Sequence, residues 1–365
     1  MLPWIQSNCH LKDSRTMKPI KNSSVSFSVS PGFADWLDAN AISLAFSAPQ
    51  LGILFLVWLN AATRAVMIQP TPVPRASGLW CDGQRLIVAA KRQIIRFENI
   101  LQPGEIDTGH DRVFIPRMQH TTGDLRAHDI GVLKDGRILF VNTLYSCLAT
   151  VSQTHSFKPL WAPPFVSSLE PEDRCHVNGL AMRDGVATHV TAISQSDDLA
   201  GWRRTREKGG TLVDIDHNRV ITGELSVPHS PRWYDGQLWL LNSGTGHLGP
   251  INLTTGAFDS RHFFPGFVRG LAFHSGTAIV CLSNSSSRTH VHTLPIYSAL
   301  AQRGINPRCG VEVVDLASGE VVHWIRFETG GTELYDIVTI PNVRSPQVLS
   351  PDSEDLDRRL TFEAG

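Results

Sequence analysis

The amino-acid sequence predicts an all-β protein, a six-bladed β-propeller, and three observations predict it. Apolar segments are short, rich in β-branched and aromatic residues, and separated by Asp-Gly, Ser-Gly or Pro. Helical periodicity is scarce over the whole chain. One unit, made of a polar lead-in, a strand, a tight turn and a second strand, recurs six times. A repeat of roughly fifty residues suits one four-stranded blade with its loops.

The six copies share this lead-in and are expected to supply the innermost strands. They start at Arg75 (RASGLWCDGQRLIVAA), His128 (HDIGVLKDGRILFVNT), His176 (HVNGLAMRDGVATHVTA), His229 (HSPRWYDGQLWLLNSG), Phe267 (FVRGLAFHSGTAIVCLS) and Tyr335 (YDIVTIPNVRSPQVL). The earlier segment AISLAFSAPQLGILFLVWL is expected to close the ring against the last copy, because a closed ring leaves no exposed sheet edge. A pair of β-sandwiches is the alternative, but it does not explain the repeated lead-in.

The propeller is predicted over residues 31–349, between two peripheral segments. Residues 1–30 are Ser- and Lys-rich without periodicity, which predicts a disordered N-terminal extension, and residues 350–365 are predicted to be a flexible C-terminal tail. Short helices are predicted at FADWLDA (33–39) and IYSALAQRG (296–304). The basic stretch GWRRTREKGG (201–210) predicts a solvated loop, with an anion or substrate contact as the less favoured interpretation.

The composition excludes some classes of partner. The chain has 365 residues and a formal net charge of −1, so it carries no electrostatic signature of nucleic-acid or anionic-membrane binding. Its six cysteines form no C-x-x-C pair and are expected to be buried free thiols. The N-terminus lacks the apolar region of a signal peptide, and LGILFLVWL is too short to span a bilayer as a helix. We therefore expect a cytoplasmic protein.

Several sequence blocks resemble an uncharacterised bacterial family of conserved propeller-like proteins, some of which are fused to tetratricopeptide repeats. The blocks are QIIRFEN, FIPRMQHTTGDLRAHDI, FVNTLYSCLATV, EDRCHVNGLAM, PHSPRWYDGQLWLLNSGTG, PGFVRGLAF, PRCGVEVVDLASGEVVHW and ELYDI. The resemblance extends roughly from Phe33 to the VRSPQVL segment. It implies a fold more than an activity.

Histidine recurs at the lead-in of three consecutive repeats. The repeats align on the residue that enters each inner strand, namely Gly78, Gly131, Gly179, Arg232, Gly270 and Val338. Three positions earlier stand Arg75, His128, His176, His229, Phe267 and Tyr335. Equivalent positions of a propeller form a ring around its axis. The three imidazoles are therefore predicted to face the central channel, with ring nitrogens roughly 3–4 Å apart.

Three converging histidines with an open position suit a catalytic metal site, with zinc as the first candidate and copper or iron as alternatives. Asp129 is expected to orient a ligand or move a proton, Arg75 to bind a substrate carboxylate and Tyr335 to act as an acid or base. The arrangement is similar to the three-histidine zinc site of peptidyl-amidating lyase propellers, although the order around the ring differs. It departs from gluconolactonases, whose metal is held mainly by carboxylate and asparagine oxygens. Histidines that merely bind channel water are the structural alternative.

Further polar residues are candidates for substrate binding, namely His120, Asp124, Asn178, Trp202 and Arg232. The structural alternatives are a stabilised turn for the HTTGDLRAHD loop and blade packing for the tryptophan. In EDRC, Glu172 or Asp173 is expected to pair with an arginine.

The sequence thus predicts a metal-dependent lyase, hydrolase or oxidase that acts on a small carboxylate-bearing or peptide-like substrate. No nucleic-acid or membrane partner is expected, and a protein partner stays open. The alternative is a non-catalytic propeller whose loop face binds a protein or a glycan. Metal content distinguishes the two hypotheses.

Overall fold

The computed structural model describes residues 25–284, 293–329 and 333–363 and confirms the six-bladed β-propeller. Six antiparallel sheets of four strands form the blades, and two of them gain a fifth strand at the outer edge. No helix within these described ranges combines the length and apolar character that a membrane crossing needs.

The strands are numbered in chain order. The first thirteen are β1 (Ser26–Val29), β2 (Ile42–Ala48), β3 (Ile53–Leu59), β4 (Val66–Pro72), β5 (Leu79–Cys81), β6 (Arg85–Ala89), β7 (Gln93–Asn99), β8 (Arg112–Thr121), β9 (Ala127–Val132), β10 (Ile138–Asn142), β11 (Cys147–Thr150), β12 (Lys158–Trp161) and β13 (Val177–Arg183). The others are β14 (Val186–Ala192), β15 (Gly210–Asp214), β16 (Arg219–Leu225), β17 (Pro228–Tyr234), β18 (Gln237–Asn242), β19 (His247–Ile251), β20 (His262–Phe263), β21 (Phe267–His274), β22 (Thr277–Ser283), β23 (Gly310–Asp315), β24 (Val321–Thr329), β25 (Ile337–Pro341) and β26 (Pro346–Val348). The helices are α1 (Phe33–Ala39), α2 (Trp202–Thr205), α3 (Pro295–Arg303) and a 3₁₀ helix, η1 (Glu354–Arg358).

Each blade starts from one copy of the sequence repeat. From the axis outward, blade 1 is β25-β2-β3-β4, blade 2 is β5-β6-β7-β8 with β26, blade 3 is β9 to β12, blade 4 is β13 to β16, blade 5 is β17 to β20, and blade 6 is β21 to β24 with β1. The innermost strands contact one another in this order around the axis. Blade 2 therefore faces blade 5 across the channel, and blade 3 faces blade 6.

Blade 1 closes the ring by combining the two ends of the propeller. Strand β25 pairs with β2 from Ile42↔Pro341 to Phe46↔Ile337. Strand β3 is buried on both faces: Phe55, Val57 and Leu59 belong to one core cluster, and Leu54, Leu56 and Trp58 belong to the next. The part of the run LGILFLVWL that forms β3 is therefore buried on both faces, which explains its continuous apolar sequence.

Small residues recur at the inner strands because neighbouring blades approach closely there. A Cβ atom on Gly78 would lie 2.5 Å from the carbonyl oxygen of His128 in the next blade. A Cβ atom on Gly179 would lie 2.4 Å from Cδ of Pro231 in the next blade. Any side chain at these positions would push strands apart, so the repeated glycine is a packing requirement of the ring.

The N-terminal prediction is wrong for Ser26–Val29, which form β1 against β24. Val25, Phe27 and Val29 pack against the blade core, so this short segment alternates apolar and polar residues as a strand does. The disorder predicted for residues 1–24 lies outside the described residues. At the other end, part of the predicted flexible tail has defined structure: it contains η1, and Arg359 forms an ion pair with Asp107.

Two further expectations concern helices and thiols. The predicted helices at 33–39 and 296–304 are confirmed as α1 and α3, and α3 ends at Gly304 in a left-handed conformation. The predicted loop at 201–210 instead contains the one-turn helix α2. Five cysteines are free thiols, and four of them are buried; Cys9 lies outside the described residues.

Candidate functional site

The lead-ins to the innermost strands surround a cavity of about 770 Å³. All six aligned positions, one from each blade, lie in its wall: Arg75, His128, His176, His229, Phe267 and Tyr335. The repeat therefore delivers one side chain per blade to a single chamber at the axis.

His128 and His229 are anchored through the same ring nitrogen in the same way. Nδ1 of His128 lies 2.8 Å from the carbonyl oxygen of Arg126 and 2.7 Å from the Thr143 hydroxyl. Nδ1 of His229 lies 3.0 Å from the carbonyl oxygen of Val227 and 3.0 Å from the Ser243 hydroxyl. A carbonyl oxygen can only accept, so Nδ1 of each neutral ring carries the proton. The lone pair is consequently on Nε2, which remains available to a ligand.

His176 is anchored by a carboxylate instead. Its Nδ1 lies 2.8 Å from Oδ1 of Asp173, and Oδ2 of Asp173 accepts a hydrogen bond from Arg126 at 2.9 Å. The Asp173 side chain is 3% exposed and that of His176 is 15% exposed. A buried carboxylate on Nδ1 fixes the ring orientation and stabilises an imidazolium that forms when Nε2 takes a proton.

Left-handed backbone at the lead-ins produces these contacts. Arg126 and Val227, each two residues before an anchored histidine, have φ of 52° and 47°, and Asp173 has φ of 51°. This conformation turns the Arg126 and Val227 carbonyls toward the imidazoles. Non-glycine residues there cost of order 1–3 kcal/mol each and cluster at functional sites.

Burial keeps two of the imidazoles neutral. Burial, followed by the neighbouring His176 ring, lowers the pKa of His128 well below its usual range. Burial, followed by the Arg269 guanidinium, lowers the pKa of His229 in the same way. The electrostatics therefore favour neutral rings with free Nε2 lone pairs over cations.

Tyr335 stands beside His128 with its phenol held in the protonated form. The two ring centres are 5.3 Å apart, and the Arg269 guanidinium lies over the Tyr335 ring at 5.0 Å. Burial raises the pKa of Tyr335 far above its usual range, and the Arg269 charge offsets this in part. Tyr335 can thus donate a hydrogen bond to a ligand, while Arg269 is ion-paired with Glu333.

The cavity carries an excess of positive charge. Its wall includes six cationic side chains, namely Arg75, Lys91, Arg126, Arg203, Arg206 and Arg269, against the carboxylates of Asp124 and Glu333. Arg75 pairs with Asp124 at 2.6 Å. Within the described ranges, Lys91, Arg203 and Arg206 form no ion pair, so the chamber is suited to an anion.

Trp202 contacts both His176 and the cationic side chain of Arg203. The ring centre of Trp202 lies 4.4 Å from that of His176. The Arg203 guanidinium lies over the Trp202 ring, 4.6 Å from its centre. Trp202 and Asp124 are the two predicted substrate-binding residues in the cavity wall. The basic stretch that contains Trp202 therefore faces the chamber as well as solvent.

The structure corrects the roles expected for Asp129 and Arg232. Asp129 accepts hydrogen bonds from the amides of Ile130 and Leu180, both at 2.9 Å, and from Arg232 at 2.8 Å. Arg232 also lies 3.6 Å from Asp336, whose carboxylate accepts from the amides of Leu79 and Ile337. Asp129, Arg232 and Asp336 form a buried ion-pair layer that links different blades.

Two other predicted residues also lie outside the cavity wall. His120 is on β8, the outer part of blade 2, where it pairs with Ile94 of β7. Asn178 is buried, and its side-chain oxygen accepts a hydrogen bond from Thr191 at 2.8 Å. Position in an outer strand and burial between strands thus remove both from the site.

A three-histidine metal site requires both suitable donor atoms and a common position that all three can reach. Neutral imidazoles with Nδ1 anchored and Nε2 free are the donors that a divalent ion prefers. The ring centres of His128 and His176 are 4.9 Å apart, close to the ~5 Å expected for two rings on one zinc ion. Across the described parts of the chain, however, no three His, Cys, Asp or Glu side chains surround a common metal position. The donor chemistry fits, whereas a three-ligand geometry is not formed.

Sequence reasoning missed several residues of the cavity wall. Arg126 and Val227 precede their histidines by two positions, and Arg269 precedes the aligned Gly270. Thr143 and Ser243 both follow an asparagine at the end of the second strand of a repeat. That shared Asn-Thr or Asn-Ser pair was the available signal for the hydroxyl groups that anchor His128 and His229.

Comparison with solved structures shows the propeller fold and no more. A chain of a nidogen/laminin complex superposes with a TM-score of 0.52 at 12% identity, covering 82% of this chain and 99% of that chain. A gluconolactonase from Xanthomonas campestris has a TM-score of 0.45 at 12% identity, covering 80% and 86%. A virginiamycin B lyase from Staphylococcus aureus has a TM-score of 0.41 at 11% identity, covering 66% and 88%. Similarities at this level carry no functional argument.

Comparison with curated proteins gives no match. The model of one protein family, described as a domain of unknown function (DUF4915), matches residues 31–349. This match spans most of the chain, and the chain therefore belongs to the DUF4915 family.

Proposed function

We propose that this protein is an enzyme, a lyase or a hydrolase, that binds a small anionic substrate in the axial cavity and uses His176 as a general base. The observation that carries the proposal is the contact of 2.8 Å between Nδ1 of His176 and the buried carboxylate of Asp173. It leaves the basic nitrogen of His176 in the wall of a cationic cavity. A base that is oriented by a buried carboxylate is a recurring arrangement in proton-transfer catalysis.

The proton transfer follows from this geometry. Nε2 of His176 takes a proton from the substrate in a lyase, or from a water molecule in a hydrolase. The Nδ1–H bond of the resulting imidazolium points at Asp173, whose charge stabilises the cation. Arg126 holds that carboxylate in place from the other side.

The other groups of the cavity are suited to binding and to charge stabilisation. Lys91, Arg203 and Arg206, which form no ion pair with any described residue, favour a carboxylate or phosphate on the substrate. The neutral phenol of Tyr335 is a hydrogen-bond donor for an oxygen that gains negative charge. Arg75 is already paired with Asp124, so that ion pair adds no net charge to the cavity.

The test compares two His–Asp pairs of the same spacing. His176→Asn removes the base and keeps a residue that tolerates φ of 56°. His217→Asn is the matched control, because His217 lies 2.9 Å from Asp214 on the surface and is 70% exposed. Purified proteins are incubated with an extract of small metabolites, and consumption is followed by mass spectrometry.

We expect wild type and His217→Asn to consume an anionic compound, and His176→Asn to do so about 10² to 10⁴ times more slowly. Circular dichroism checks that both variants are folded. Consumption that is equal in all three proteins contradicts the role of His176. If no compound is consumed, the non-catalytic propeller that binds a protein or a glycan becomes the better account.

A divalent metal ion on His128, His176 and His229 is a second candidate: the shared Nδ1 anchoring favours it, and it requires the three rings to move, because in the described residues they do not surround a common metal position. Zinc is proposed first, with copper or iron as alternatives. Such an ion supplies Lewis-acid chemistry when bound. Elemental analysis of protein purified without a metal-affinity tag tests it: a stoichiometric ion lost in His176→Ala and retained in Tyr335→Phe supports the site. Less than stoichiometric metal in wild type contradicts it.

A further inference from the structure

The cavity wall combines cationic side chains with an apolar surface. Blades 2 and 3 contribute Arg75, Lys91, Asp124, Arg126 and His128. Blades 4 to 6 and the start of α3 contribute the apolar side chains Ile193, Val227, Phe267 and Leu294. Arg203 and Arg206, which lie between β14 and β15 of blade 4, and Arg269 of β21 in blade 6 add three more cations to the wall. The apolar surface is therefore bordered by cations, and His176 and Tyr335 line the same cavity.

The four apolar residues form one continuous surface, called here the apolar wall. They belong to a single hydrophobic cluster that also contains Ile296 and Leu300 of α3. Those two helix residues are 0% and 3% exposed, so the apolar wall is supported from behind. The surface is therefore preformed and does not depend on a ligand to assemble.

Val227 is held in the apolar wall at a conformational cost. Its φ of 47° is left-handed, which is unfavourable for a β-branched residue. The backbone conformation is needed because the Val227 carbonyl anchors His229 at 3.0 Å. Glycine or asparagine would meet that backbone requirement with less strain. A use for the isopropyl group at the cavity surface accounts for a valine at this position.

A simple anion does not use such a surface. A carboxylate or phosphate group binds through the cations alone and leaves the apolar wall without a contact. A ligand with both an anionic group and an apolar group contacts the cations and the apolar wall at once. Each buried methylene then raises the affinity about fourfold.

We propose, building on the proposed function, that the substrate is an amphipathic anion whose apolar group rests on Ile193, Val227, Phe267 and Leu294 while its anionic group binds Lys91, Arg203 and Arg206 of the same cavity. His176 lines the cavity together with both sets of side chains. The class includes medium-chain acyl or aryl carboxylates and phosphates, and it excludes small sugars and free inorganic anions as preferred substrates.

The test measures binding of acetate, butyrate, hexanoate and octanoate to the full chain by isothermal titration calorimetry. We expect affinity to rise about fourfold per methylene up to the length that fills the cavity. Hexylammonium, with the same chain and opposite charge, should bind at least tenfold more weakly than hexanoate. Affinity that does not depend on chain length, or equal binding of hexylammonium, overturns the proposal.

Variants locate the binding surface. Phe267→Leu and Val227→Asn should each weaken hexanoate binding about threefold or more and leave acetate binding unchanged. Leu160→Ala is the control, because Leu160 lies on the outermost strand of blade 3 and is 39% exposed. Thermal unfolding checks that every variant is folded. An unchanged hexanoate affinity in both wall variants contradicts the assignment of the surface.

The two proposals fail in different ways. His176→Asn should leave the chain-length series intact, because the imidazole contributes little to the apolar wall. A normal series without turnover of any anion by wild type refutes the enzyme and retains the binding surface. Turnover of an anion without any chain-length effect refutes the apolar wall and retains the enzyme.

Discussion

Two layers along the propeller axis use neighbouring residues for opposite purposes. The cavity layer contains His128 and Tyr335, and the ion-pair layer contains Asp129 and Asp336, each the next residue in the chain. In the ion-pair layer, both oxygens of each carboxylate accept backbone amides and Arg232 lies between them. In the cavity layer, Nδ1 of each imidazole is anchored and Nε2 remains available.

The comparison shows that hydrogen-bond and ion-pair partners, and not residue types, distinguish structural groups from functional groups in this protein. The sequence suggests that Asp129 and Arg232 are site residues. In the structure, however, their charged groups pair with residues of other blades. The imidazole of His128, one residue before Asp129, has no described hydrogen-bond partner at Nε2, and that nitrogen can act on a ligand. The following predictions test this division, from the largest expected effect to the smallest.

Arg232→Met should destabilise the protein by about 3–5 kcal/mol, because it leaves the buried carboxylates of Asp129 and Asp336 without their cation. Arg75→Met is the control from the cavity layer, since its ion pair with Asp124 is exposed and is worth about 1 kcal/mol or less. Urea unfolding measures both changes. Equal losses in the two variants would show that the layers do not differ in this way.

Asp173→Asn should lower turnover of the substrate of the wild-type enzyme about a hundredfold or more. The asparagine amide can donate to Nδ1 of His176, which moves the ring proton to Nε2 and removes the base. Nitrogen chemical shifts of His176 should report this reversal of tautomer, a change that a purely structural role for Asp173 does not produce. Asp214→Asn, at the surface pair with His217, should change neither property.

Stability should depend on pH through the ion-pair layer. Burial, followed by the charge of Asp129, raises the pKa of Asp336 to about 7 from an ordinary value of 3.8. Between those values the folded protein binds a proton that the unfolded chain does not. The contribution of Asp336 to the free energy of unfolding is therefore complete below about pH 4 and is lost as pH rises through 7.

Its slope reaches at most about 1.4 kcal/mol per pH unit. Asp336→Asn should abolish this component, so the stability difference between wild type and variant should shrink as pH rises from about 4 to 7. Denaturant unfolding at a series of pH values measures it. His128 and His229 act in the opposite direction: their lowered pKa values give stability that is present above about pH 6.5 and is lost in acid. A difference that does not vary with pH would contradict the raised pKa of Asp336.

The fold could be predicted from the sequence because its repeat is local. Each copy carries its own lead-in, small residue and tight turn, so the six inner strands and the closure by β25 against β2 followed from pattern alone. The one segment predicted wrongly as disordered, Ser26–Val29, has an alternation too short to stand out.

The site was predictable in part, for a physical reason. Alignment of the repeats identified the ring positions, since ring symmetry brings equivalent residues together. The partners of those residues could not be obtained that way. The contact between Asp173 and His176 depends on left-handed backbone at both residues. The pairing of Arg232 with Asp129 joins positions 103 residues apart in different blades.

The most direct test of the central claim, that the cavity imidazoles present Nε2 lone pairs, is a long-range proton–nitrogen NMR correlation on protein with ¹⁵N-labelled histidine at pH 8. Single His→Asn variants assign the signals of His128, His176 and His229. The account predicts a protonated Nδ1 and an unprotonated Nε2 in all three rings. A protonated Nε2 in His176 would contradict it.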